Sequence, residues 1–147
     1  MSASNTFENA MLLLLFNNTA LANIGDATGL PASAAAGTLQ IALHTADPGE
    51  AGILTTSEAT YTGYARVTVA RSGAGWTVSG TAPTQAANAA AVTFPACTAG
   101  NNTITHFSVG YTSGTNILAS GALTASLAVS AGITPSFAIG ALAVTLD

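Results

Sequence analysis

The sequence predicts a mainly β fold, an antiparallel β-sandwich or jelly-roll-like barrel preceded by one N-terminal α-helix. Three observations predict it. From Thr38 onward apolar and polar residues alternate in short runs, the period of a strand with one buried face. Turn-forming segments separate those runs: "DPGEAG", "RSGAG", "TAGNN", "TSGTN" and "SAGITP". Only the stretch that ends near Asn17 carries its apolar residues at helical spacing.

That first stretch opens with Asn5 and Glu8, three residues apart, a capping pair. Phe7, Met11, Leu14 and Leu15 follow at helical spacing, and Leu12, Leu13 and Phe16 widen the apolar surface. Such a helix is buried on more than one side or grips a neighbouring subunit. "NNT" at Asn17 to Thr19 ends it, and the Ala-, Gly-, Ser- and Pro-rich residues Leu21 to Gly37 read as a surface connection with a short helical turn near Ser33 to Ala36. Residues 1–37 are thus expected to form a helix and extended assembly arm, and residues 38–147 the β-sandwich body.

In "TLQIALH", Leu39, Ile41 and Leu43 point one way while Gln40, Ala42 and His44 point the other. "YARVTVAR" repeats the pattern, with Val67 and Val69 opposite Arg66 and Thr68. Further strands are expected in "GWTVSG", "AAVTFPA", "ITHFSVGYT", "NILASGALT", "SLAVS" and "PSFAIGALAVTL". In the last of these the parity changes after Ile139, which makes Gly140 a bulge.

Composition narrows the function classes. The chain has 147 residues, enough for one domain with a core of its own. Only 5% of them are charged, against about 25% in an ordinary domain. Arg66 and Arg71 are the only arginines, and there is no lysine. The longest apolar run, Ala10 to Phe16, is far short of the ~20 residues of a membrane helix. A net charge of -4 leaves no basic patch for nucleic acid. "MLLLLFNNTALA" mimics a secretory leader, but Glu8 and the lack of a preceding basic residue contradict that pattern. Monomers rely on surface charge to stay apart, so a surface this neutral implies burial against other copies or other proteins. The expected partners are therefore other copies of the chain, as a homo-oligomer, or other proteins, with no nucleic acid and no membrane.

Candidate chemistry centres on "LHTADPGEAG", which holds His44, Asp47 and Glu50. Asp47, Pro48 and Gly49 spell a type II turn: Pro fixes φ at the second position and Gly accepts positive φ at the third. Asp47 then bonds backbone amides, Glu50 is solvated, and His44 ends a strand on its polar face. Neither a calcium-loop pattern nor a second His/Cys pair accompanies them, so a structural turn outranks a metal site. Cys97 reads as a small buried hydrophobe and His106 as a structural strand residue. No G-x-S-x-G elbow, P-loop or dinucleotide fingerprint occurs. Catalytic, cofactor and metal residues are accordingly expected to be none. Arg66 and Arg71 should pair with carboxylates, within the chain or across an interface, and Trp76 should anchor a core or interface. Phe7, Leu14, Phe16, Tyr61, Tyr64, Arg66, Arg71 and Trp76 are the expected interface residues.

Taken together, "FENAMLLLLFNNT", "NIGDATGLPASAAAGTLQIALHTADPGEAG", "TSEATYTGYARVTVARSGAGW", "AAAVTFPA", "THFSVG" and "LASGALTASLAVSAGITPSFAIGALAVTLD" resemble a family of small tailed-phage and prophage virion proteins. Its members are commonly labelled phage tail-fibre or virion structural proteins. The resemblance implies a non-enzymatic virion component and brings no catalytic residue. No internal repeat of a fibre shaft is present, which with the resemblance favours a capsid decoration or cement protein on the head surface, a trimer favoured, whose partners are the major capsid subunits it bridges or other virion proteins. The alternative is a tail-fibre, tail-tip or collar component that meets a host surface, where Tyr61 and Tyr64 would be the aromatic pair for a glycan. A glycan hydrolase using Asp47 and Glu50 is disfavoured, because acids three residues apart on one turn rarely flank a bond.

Overall fold

The computed structural model describes residues 3–80 and 84–146. Among the described residues the chain is mainly β, its sheets are antiparallel, and a single α-helix comes first, as the alternation and the apolar N-terminal run predict. It divides into two compact units, one from Met1–Gly37, Ala70–Ala91 and Ala138–Asp147, the other from Thr38–Val69 and Val92–Phe137.

In the first unit the helix α1 spans Asn5–Asn17. Its N-cap is Ser4, one residue earlier than the Asn5–Glu8 pair suggested: the extended backbone of Ser4 lets its Oγ accept from the Phe7 amide at 3.3 Å. At the other end Asn18 turns into the left-handed region (φ 55°), and its N–H and that of Thr19 both reach the Leu13 carbonyl. Glu8, Leu12 and Phe16, spaced by four, form the buried stripe. The Phe16 ring meets Trp76 edge-on, centroids 4.8 Å apart. Burying each large apolar side chain of this kind is worth about 1.5–3 kcal/mol. The stripe lies against β3 (Trp76–Gly80) and β4 (Thr84–Asn88) of a sheet that continues to β9 (Ala143–Leu146), in the order β3-β4-β9. The register runs Trp76 to Asn88, Gly80 to Thr84 and Ala86 to Val144.

Asn88 ties this sheet to the chain that enters β9. Its amide nitrogen donates to the carbonyls of Ala90 and Ala138, and its amide oxygen accepts from the Leu142 N–H. Gly140, at φ 75°, donates its N–H to the Asn88 carbonyl. "PSFAIGALAVTL" is therefore two strands of different sheets joined by a turn at Ala138 to Ala141, where a single bulged strand was expected. The expected helical turn near Ser33 is only a bend, in a segment pinned instead by a Leu21–Leu30 backbone pair.

In the second unit four strands lie in the order β2 (Val67–Ala70), β1 (Thr38–His44), β6 (Asn101–Tyr111) and β7 (Ile117–Ser130). A short pair, β5 (Val92–Thr93) and β8 (Ser136–Phe137), completes it. Leu39, Ile41 and Leu43 bury the expected face of β1 against the β6 residues Phe107 and Val109. Ala42 and His44 are buried as well, so the face predicted to be polar and outward is covered. "NILASGALT" and "SLAVS" fuse into the one strand β7. Its register against β6 slips where the single residue Thr105 faces the four residues Leu123 to Ser126.

Candidate functional site

"LHTADPGEAG" separates in three dimensions. Gly49 adopts φ 70°, and the Asp47 carboxylate accepts from its N–H at 2.9 Å. The backbone bond that closes the loop runs from the Gly52 N–H to the Gly49 carbonyl, two residues beyond the Asp47–Glu50 turn read from the sequence. Gly52 is required there, because a Cβ would lie 2.0 Å from the Pro48 carbonyl oxygen. Asp47 and Glu50 are exposed and Pro48 is buried. His44 points inward and is wholly buried. Among the described residues no group of three or more His, Cys, Asp or Glu is placed to hold a metal ion.

His44 sits in a polar cluster that the strand pairing assembles. Its Nδ1 lies 2.8 Å from the Thr56 carbonyl, which can only accept, so Nδ1 carries the proton. Nε2 is then the acceptor for the Ser108 hydroxyl, 2.7 Å away. Ser108 reaches it because Ala42 pairs with Ser108 and His44 with His106 across β1 and β6, which puts all four side chains on one face. Burial pushes the His44 imidazole below its ordinary pKa, against the pull of the Thr56 carbonyl and of Glu58. A serine hydroxyl on an imidazole can be a nucleophile and its base. Here both groups have no exposed surface, and the contact satisfies two buried polar side chains.

Next to it Glu58 forms a two-pronged pair with Arg66, 2.6 Å to Nε and 2.7 Å to Nη2. The Tyr64 hydroxyl donates to Glu58 at 3.0 Å and accepts the Leu43 amide, also at 3.0 Å. Burial, foremost, and then the facing carboxylate push the Tyr64 phenol well above its usual range. Arg66 also donates to the Gln40 side chain. Arg66 thus has its carboxylate partner inside the chain.

Arg71 departs from expectation, because its partners in the first unit are carbonyls. Nε donates to Leu15 O and Nη2 to Leu14 O, both at 2.7 Å, while Nη1 reaches the Ser33 hydroxyl and Ala36 O. Helix α1 has no basic residue in its own last turn. Arg71 supplies the cation that the negative end of the helix dipole favours, and it fastens the connection to the helix at the same time.

The expected interface residues are divided by burial. Phe16, Trp76 and Tyr61 are buried within the chain, Trp76 as one of its core residues. Tyr61 donates to the Pro95 carbonyl and meets Tyr64 edge-on at 5.3 Å. Tyr64 in turn stacks on Phe94. Aromatic surface of this size is most stable out of water and in contact with other rings. Phe7 is 42% exposed and Leu14 is half-buried. The sequence reading passed over Glu58, Ser108 and Asn88. Strand parity was the available signal for Ser108, since "TLQIALH" and "THFSVG" each place a polar residue toward one face. Asn88 had none, because its partners lie at Ala138 and Leu142.

A family model described as podophage GP4 fiber I protein gp80 matches residues 2–145. A comparison with curated proteins returns no match.

Proposed function

The chain belongs to the podophage GP4 fiber I protein gp80 family, a family of phage virion proteins, and we propose that it is a non-enzymatic component of the virion's fibre. The observation that carries this reading is the extent of the match, from residue 2 to residue 145. The chain's own chemistry supports it. The Ser108–His44 contact is buried, and Asp47 and Glu50 lie on an exposed loop. From Ser72 to Leu146 there is no Asp, Glu, Lys or Arg. A surface so poor in charge suits permanent contact with copies of itself or with other virion proteins.

Immunogold labelling of purified particles with antibody to the chain tests the assignment. Label at the tail is expected. Label spread over the head would identify the capsid decoration role instead, in which the same neutral surface would clamp major capsid subunits.

A further inference from the structure

We propose that the outer edge of β7 is where a second copy of this chain docks, strand against strand, about a two-fold axis. β7 is the last strand in the order β2-β1-β6-β7, and it pairs with β6 from Asn101–Ser130 to Gly110–Ile117. An antiparallel strand turns the N–H and C=O of every other residue away from its neighbour. Between Ile117 and Val129 no described residue outside β6 bonds to the backbone of β7. Of its fourteen residues only Val129 is buried, so water reaches most of the strand. A row of unpaired backbone groups is a template for one kind of occupant, another extended strand.

The two edges of this sheet are built differently. β2, at the far edge, has four residues, with Arg66 before it and Arg71 after it. Shortness and charge both keep an edge from pairing. β7 has fourteen residues with neither charge nor proline. Its register against β6 slips at Leu118 and again at Leu123 to Ser126, and such slips bend a strand. The docking stretch is therefore the in-register segment Ala119–Ala122, where Ser120 and Ala122 are exposed. A bent edge does not template a flat stack of many strands, and a two-fold pair uses up the edge of both copies.

Charge and length select a second copy as the occupant. A two-fold axis sets a strand against its own sequence, so any charge on it would meet its like. β7 carries none, whereas an edge matched to a charged partner would carry the complement. The other described edge strands have five residues or fewer, so within this chain the match in length for β7 is β7 of another copy. The small side chains of Ser120, Gly121 and Ala122 let two such strands approach closely. The inference needs no part of the fibre reading, since the edge would pair in the same way in a head protein.

The test is sedimentation velocity of the isolated full chain over a concentration series, with amide hydrogen exchange at each concentration. Two double variants accompany it, Ser120→Lys with Ala122→Lys and Ser120→Glu with Ala122→Glu. The wild type is expected to form a dimer as concentration rises, with exchange slowing at Ala119–Ala122. Each double variant should melt like the wild-type monomer and dimerise at least about tenfold more weakly, the equivalent of ~1.4 kcal/mol. Mixing the lysine and glutamate variants should restore the dimer, which a merely damaged fold would not do. A wild type that stays monomeric, a closed trimer, or a dimer that both variants leave intact would overturn the proposal. So would slowed exchange at β7 that appears only when other virion proteins are added. Tail labelling in the immunogold experiment would stand under any of these results.

Discussion

The two arginines of this sparsely charged chain do different work, and each can be isolated. Removing Arg66 leaves a half-buried Glu58 carboxylate with one hydrogen bond, from Tyr64. Hydrogen bonds to charged groups contribute about 1.5–3 kcal/mol, so Arg66→Ala should lower unfolding stability by roughly 2 kcal/mol in urea titrations. Arg66→Lys should recover less than half, because an ammonium cannot match the two-pronged geometry. Arg71→Ala should act on the first unit, speeding amide exchange in the last turn of α1 and the Leu21–Leu30 pair ahead of the sheets. His44 sets a pH dependence. Its folded pKa lies below 6.5, so on acidification the unfolded chain takes up the proton first. The stability that the neutral imidazole contributes is complete above pH 6.5 and is lost as pH falls below it. Urea midpoints should decline from pH 7.5 to 5, and His44→Gln, though less stable at pH 7.5, should flatten that decline.

At the scale of elements, close approaches decide more than propensities do. A Cβ at Gly110 would lie 2.6 Å from Leu54 Cδ2 and 2.8 Å from the Asn116 carbonyl oxygen. Gly110→Ala should therefore cost about 1–3 kcal/mol by overpacking. Adding Leu54→Ala should offset only part of that loss, since the backbone oxygen stays in place. Phe16→Ala, which empties the seam against Trp76, should cost about 3–5 kcal/mol, while Phe7→Ser should change stability by no more than about 0.5 kcal/mol. Chemical denaturation of each variant checks all four. The elements legible in the sequence were those whose signal is local. Helical spacing marked α1, and the alternation in "TLQIALH" and "GWTVSG" marked β1 and β3. The buried polar face of β1 was not legible, because it depends on Thr56 and Glu58 arriving from outside the strand. Nor was the division of "PSFAIGALAVTL", which depends on Asn88.

At the scale of the whole molecule, charge is concentrated where it is used. Arg66 faces Glu58, Arg71 grips the end of α1, and from Ser72 to Leu146 no charged side chain occurs. Such a chain has little electrostatic repulsion to keep copies apart, which fits a component of a large assembly better than a free enzyme. The scarcity of charge is visible in composition alone and implies burial against other copies or other proteins, whereas the virion reading rests on the family resemblance. It could not separate fibre from head, because both roles reward the same surface. The number of copies per particle separates them most directly, measured by quantitative gel densitometry of purified virions against a known tail protein. A fibre component should be present in tens of copies or fewer, and a count in the hundreds, in proportion to the major capsid protein, would contradict the fibre assignment.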